Sequence, residues 1–262
     1  MRRTVATLAA LLTAAAAFAQ PAEKPAEKPA EQPKTATPAA KRTESGRGLV
    51  IPDDQKKLGT PYYTAPSSGK QVSFTSQALN AKFDGHSNSV IGYAIANPSD
   101  SIGILKAGAW ALPVKSLDTG SKLRDKHISG KDWLDSSTCP DITFVLKSVS
   151  DVKLHKETPA GKSYTATLVG DLTIHNTTRE ISIPDTMLAF AAANEKLPLK
   201  GDLLAIRCKY KIKLTEYGVK SEYITELKSV ADDIEIDQTL TLSTVPPEEQ
   251  PAPTPTPEGE GK

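Results

Sequence analysis

Five side chains that could hold a cation or move a proton stand close together in this chain: Asp118, Asp125, His127, Asp132 and Asp135. Carboxylates and imidazoles are common metal ligands and common general acids and bases. A solvated acidic face with one or two capping aspartates explains the same cluster. The other histidines, His86, His155 and His175, are scattered and none makes an H-x-x-x-H pair, the helical spacing that zinc enzymes use. There is no G-x-S-x-G, no P-loop and no G-x-G-x-x-G. Neither catalysis nor a metal nor a cofactor is expected, and a metal-dependent enzyme built on the acidic cluster ranks last of three readings.

The cluster sits in Ser116–Phe144, between an apolar run at Ile102–Leu112 and another at Ile142–Leu146. Leu123 and His127 are four apart, as are Arg124 and Ile128, and residues at that spacing share a helix face. On this pattern Leu123 and Ile128 pack down while Lys122, Asp125 and Lys126 stay wet. A second short helical segment carries Trp133 and Leu134. Gly120 and Gly130 punctuate the ends, and Pro140 blocks further helix. The expected element is a helical insert between two strands.

Around the insert the dominant signal is alternation. Tyr164, Ala166, Leu168, Leu172 and Ile174 share one face of their run; Leu204, Ile206, Cys208, Tyr210, Ile212 and Leu214 share one face of theirs, with Arg207, Lys209, Lys211 and Lys213 opposite. Ile234, Ile236, Leu240 and Leu242 alternate with Asp233, Glu235 and Asp237. A period of two means strands with one wet and one dry face. Strand-like runs fall near 71–76, 78–84, 90–96, 102–112, 142–154, 163–174, 178–190, 201–214 and 230–243, with turns expected at Asp84-Gly85, Asn97–Asp100 and His175–Thr178. The fold class is all-β and antiparallel. Alternation leaves barrel and sandwich both open.

Three segments carry a family resemblance. S-L-D-T-G, L-R-D-K-H-I, D-W-L-D and C-P-D-I-T-F follow one another in the insert; G-D-L-T-I-H-N-T-T-R stands at Gly170–Arg179; Tyr217-Gly218-Val219 follows a long strand. In this order the chain resembles the YceI-like family over roughly Val72–Leu242. Two positions depart from the family pattern: Asn176 stands where glycine is usual, and Cys139 where an aromatic is common. Asparagine tolerates the left-handed backbone, so the turn survives. The resemblance implies a lipocalin-like barrel of about eight strands with a short helical insert, exported, and binding an isoprenoid or other long-chain lipid. It places an elongated channel between the strands, and the apolar lining candidates are Phe74, Trp110, Phe144, Leu168, Leu172, Ile206, Tyr210 and Leu240. Arg124, Asp125 and His127 match the family's insert; they either tie the insert to the barrel or make polar contacts at its mouth.

Outside the barrel, residues 1–19 read as a signal peptide. Two arginines precede an apolar run that ends in Ala17-Phe18-Ala19, a small-x-small cleavage signal. The run is shorter than the roughly 20 residues a spanning helix needs, and no later segment is apolar enough to span, so stable membrane insertion is not expected. Residues 20–48, opening with PAEK-PAEK-PAEQ, and residues 246–262 are rich in proline and charge. Such composition buries too little to offset ordering entropy, so both are expected to be disordered tails around a domain at 49–245. Lys+Arg number 32 against Asp+Glu 31, a balance that gives no reason to expect nucleic acid as a partner. Cys139 and Cys208 are the two cysteines; export permits a disulfide, and a bridge and two separate thiols both stay open.

The sequence therefore reads as a periplasmic or secreted barrel that sequesters or carries a long apolar chain. The runner-up is a non-catalytic envelope structural or adhesion module whose barrel is filled. A homodimer is left open.

Overall fold

In a computed structural model of the chain, residues 34–35, 41–67, 69–79, 81–100 and 104–251 are described. The signal-peptide expectation lies outside them, as does most of each tail. The elements run β1 (Lys34–Thr35), α1 (Asp53–Lys56), β2 (Thr60–Thr64), β3 (Val72–Gln77), β4 (Lys82–Ser87), β5 (Ile91–Ala96), β6 (Leu105–Pro113), α2 (Lys122–Ile128), β7 (Asp141–Thr158), β8 (Gly161–Ile174), β9 (Thr177–Ala191), β10 (Leu203–Lys213), α3 (Glu222–Thr225) and β11 (Asp233–Ser243).

Every strand pairing is antiparallel. The pairings β10–β11, β11–β2, β2–β5, β5–β6, β6–β7, β7–β8, β8–β9 and β9–β10 close a ring. The alternating strands thus form a closed eight-stranded barrel rather than a sandwich, and closure leaves no free edge in the ring. The β11 strand divides its pairing: Leu242 and Ser243 meet β2, while Ile234–Gln238 meet β3. Beyond β3 lies β4, where the backbones of His86 and Asp118 exchange hydrogen bonds of 2.8 and 2.9 Å. The β3–β4 hairpin therefore walls the barrel at the end where the insert begins.

Bulges bend the long strands. Asp151 and Asp185 have φ of 53° and 51°, beside register shifts at Ser150/Lys153 and Ala166/Leu168. An extra residue in the left-handed region increases twist, which a closed barrel needs. The β8–β9 connection is a two-residue turn in which His175 and Asn176 both have positive φ, 49° and 57°. That is the backbone of a tight hairpin turn, and asparagine supports it without the usual glycine.

Within the barrel and its insert, sequence and structure differ at four places. The ring strand β2 escaped the alternation pattern, because Thr60–Thr64 is short and carries Pro61. Asp84-Gly85 is not a turn but the interior of β4. An added Cβ on Gly85 would lie 2.2 Å from Phe74 Cζ, so the missing side chain is what lets the Phe74 ring lie flat on the wall. The pair Leu123 and Ile128 does not pack down together: Leu123 is 67% exposed, whereas Ile128 packs against the core. Residues five apart lie about 140° round a helix of 3.6 residues per turn, which explains the split. Trp133 and Leu134 sit in turns, not in a second helix.

The apolar run in β5 and β6 shows no alternation because both of its faces are covered. Ala94, Ala96, Trp110 and Leu112 face the barrel core, while Tyr93, Ile95, Ala107, Ala109 and Ala111 meet Leu49 and Ile51 on the outside. The Tyr93 hydroxyl donates to Gln55 Oε1 at 2.8 Å and anchors the outer layer. Ordered contacts also continue past the compositional limits of the domain. Arg42 pairs with Asp141 at 2.5 Å, and the Ser45 hydroxyl donates to Glu248. Gln250 is buried: its Nε2 donates to Lys200 O, Ser243 Oγ and Val245 O, and its Oε1 accepts from Lys200 N.

Candidate functional site

The site lies at the end of the barrel where the β6–β7 insert and the β10–β11 connection cross the opening. The strands supply its walls: Val72 and Phe74 from β3, Phe83 from β4, Leu112 from β6, Ile142 from β7, Ile174 from β8, Ile212 from β10, and Ile234 with Ile236 from β11. The insert supplies Leu117, Ile128, Trp133 and Leu134; the connection supplies Leu214 and Val230. Every lining side chain is apolar. The cavity volume is about 100 Å³, with its mouth open to solvent, which is smaller than the roughly 300–1,000 Å³ of most small-molecule sites.

Local chemistry fixes the insert over this opening. Asp125 on α2 accepts from Thr119 N at 2.9 Å and Thr119 Oγ1 at 2.6 Å, holding the entry loop to the helix. Arg124 lies with its guanidinium 4.7 Å from the Phe83 ring centroid, a cation–π contact worth about 0.5–1 kcal/mol at an exposed site. His127 is exposed and lies beside Trp133 and Tyr223. Trp133 stacks on Tyr223 at 6.3 Å and 24°, joining the insert to the β10–β11 connection. That connection turns at Gly218, φ 78°, between the buried Tyr217 and Val219. Positive φ at this point is the physical reason for a glycine inside the Tyr-Gly-Val motif.

Three carboxylates of the acidic cluster brace local turns, and Asp132 is exposed. Asp118 Oδ1 accepts from Gly120 N at 2.7 Å, Asp135 Oδ1 accepts from the Ser137 hydroxyl, and Asp125 is engaged as above. The hydroxyl partners of Asp135 hold its carboxyl below the usual range. Among the described residues no three His, Cys, Asp or Glu are arranged to hold a metal ion. Cys139 and Cys208 are separate buried thiols, and burial pushes Cys208 up to about 12.

Of the eight apolar lining candidates, Phe74 lies in the cavity wall. Trp110, Phe144, Leu172 and Tyr210 lie two residues further along the same strand faces and form a packed layer beneath it. Trp110 and Phe144 meet at 5.8 Å there. Leu168, Ile206 and Leu240 are buried deeper in the core. The sequence reading missed most of the wall. Its signal was the dry parity at the strand ends nearest the insert, as in Leu112, Ile142, Ile174 and Ile212.

The family model of the YceI-like domain matches residues 63–242 of this chain. The chain belongs to the YceI-like family. It is 38% identical over 77 residues to a UPF0312 protein of Pseudomonas fluorescens, covering 28% of this chain and 35% of that one. It is 33% identical over 109 residues to a UPF0312 protein of Pseudomonas syringae pv. tomato, covering 42% and 50%. The alignments thus span about half or less of these curated relatives. Among solved structures, a polyisoprenoid binding domain from Saccharophagus degradans, described as implicated in plant cell wall breakdown, superposes with a TM-score of 0.51. It is 12% identical, and the match covers 70% of this chain and 98% of that one. At such identity the likeness is one of fold alone.

Proposed function

We propose that this protein is an exported carrier that holds one long apolar chain, isoprenoid rather than acyl, without chemical change. The observation that carries the reading is the cavity at the barrel mouth, whose lining is apolar throughout while the insert above it is polar and charged. An apolar chain gains by leaving water for such a site, about 25 cal/mol per Å² of apolar surface buried. A head group would stay at the opening, near Arg124 and His127. Support for an isoprenoid comes from the fold shared with the polyisoprenoid binding domain; support for export comes from the N-terminal sequence. The test is a titration of delipidated protein with a polyprenyl alcohol and, separately, with a long-chain fatty acid, read by Trp133 fluorescence. Saturation at one equivalent by the prenyl chain, with weaker response to the acid, is the expected result. No response to either chain refutes the reading.

A second reading has its own observation. Beneath the cavity the Trp110–Phe144–Leu172–Tyr210 layer is packed, which suits a filled structural module. The two readings part on whether the cavity above that layer accepts ligand.

A further inference from the structure

The large apolar side chains that stand most exposed among the described residues are Leu79 at 94%, Leu123 at 67% and Leu227 at 61%. Single exposed leucines are ordinary. The placement of these three is not scattered. Leu79 is at the tip of the β3–β4 hairpin, four residues before Phe83. Leu123 is on α2 and Leu227 follows α3 in the β10–β11 connection, three residues before Val230. Phe83, Ile128 and Val230 all line the cavity. Tyr223, 42% exposed, joins the same rim through its stack on Trp133. The apolar tips thus belong to the three elements that border the opening.

We infer that this rim is a docking surface for the face of a neutral lipid bilayer. The inference rests on the carrier reading, for which a bilayer is the source or destination of the chain. Isolated tips on three separate elements offer no continuous face of the roughly 1,000 Å² that a stable protein partner requires. A bilayer has no such requirement, because each tip enters the acyl boundary independently and affinity follows the apolar area inserted. Charges of both signs flank the tips: Lys82, Lys122, Lys126 and Lys228 are exposed beside the leucines, as are Glu222 and Glu226 beside Tyr223 and Leu227. This mixed rim complements zwitterionic head groups, and the lysine stems can extend along the interface with their ammonium groups in water. Docking in this orientation sets the cavity mouth against the membrane, so the chain transfers without crossing water.

The experiment is co-sedimentation of the delipidated full chain with phosphatidylcholine vesicles, at low and high salt. It is repeated with the triple variant Leu79→Ser, Leu123→Ser, Leu227→Ser, none of which lines the cavity. The wild type is expected to partition at both salt concentrations, and the variant to lose about tenfold or more of that partitioning. Its melting temperature and its binding of polyprenyl alcohol from solution should be unchanged. The inference is overturned if the wild type stays in the supernatant, if the variant sediments equally, or if sedimentation needs anionic lipid and vanishes with salt. It is also overturned if size-exclusion chromatography shows the leucines holding two copies together. Partitioning without any prenyl binding from solution would instead refute the carrier reading and leave the docking surface standing.

Discussion

Leu168 and Ile174 share a strand and a face in β8, yet one lies in the packed core and the other in the cavity wall. Tryptophan at each position therefore separates a filled interior from a ligand site. Leu168 is 3% exposed among core residues and away from the cavity. Leu168→Trp must displace packed atoms, costing about 1–3 kcal/mol. For a domain of this size each kcal/mol lowers the melting temperature by about 2–4 °C, so a fall of roughly 2–12 °C is expected. Ile174→Trp places the added ring in the cavity, and the expected change in delipidated protein is below about 1 kcal/mol. The lipid readout should move the other way. Ile174→Trp should sharply reduce the apolar compound retained per mole of protein, and Leu168→Trp should reduce it little. Calorimetry of delipidated protein and mass spectrometry of organic extracts give the two numbers. If Ile174→Trp is as destabilising as Leu168→Trp and leaves retention unchanged, Ile174 faces a filled core and the reasoning fails.

Three further outcomes follow from the same geometry. Gln250→Ala removes a buried amide that bonds Lys200, Ser243 and Val245, and should cost about 1–3 kcal/mol by urea denaturation; no change would show that the segment does not dock. Tyr217 is raised to about 12 by burial, and burial also raises Tyr62 and Tyr93. The folded state then holds protons that the unfolded state releases, so stability should be flat below about pH 10 and fall as pH rises toward 12; a melting temperature constant across that window would contradict the burial. Cys208, raised to about 12, and Cys139, raised in the same direction, should resist a thiol reagent at pH 8 in native protein and react on unfolding; rapid native labelling would count against their placement.

Much of the barrel was legible because alternation reports directly on a wet and a dry face, as in Leu204–Leu214. The missed strand β2 carries only five residues, one of them proline, so its place in the ring depends on partners far along the chain. The unalternating β5 and β6 were readable as apolar but not as doubly covered, since the outer cover comes from Leu49 and Ile51. The cavity was the least legible part. Dry parity marks Ile174 and Leu168 alike, and only the crossing of the insert over one barrel end decides which faces empty space. Gly85 shows the same limit: it reads locally as a turn, whereas the Phe74 ring on the neighbouring strand accounts for it.

A cavity that carries an apolar chain in the cell should yield that chain on extraction. The most direct test is mass spectrometry of the organic extract from protein purified, without detergent, from the cells that naturally make it. One apolar compound, an isoprenoid, is expected at close to one mole per mole of protein. A clean extract from such protein would contradict the carrier reading.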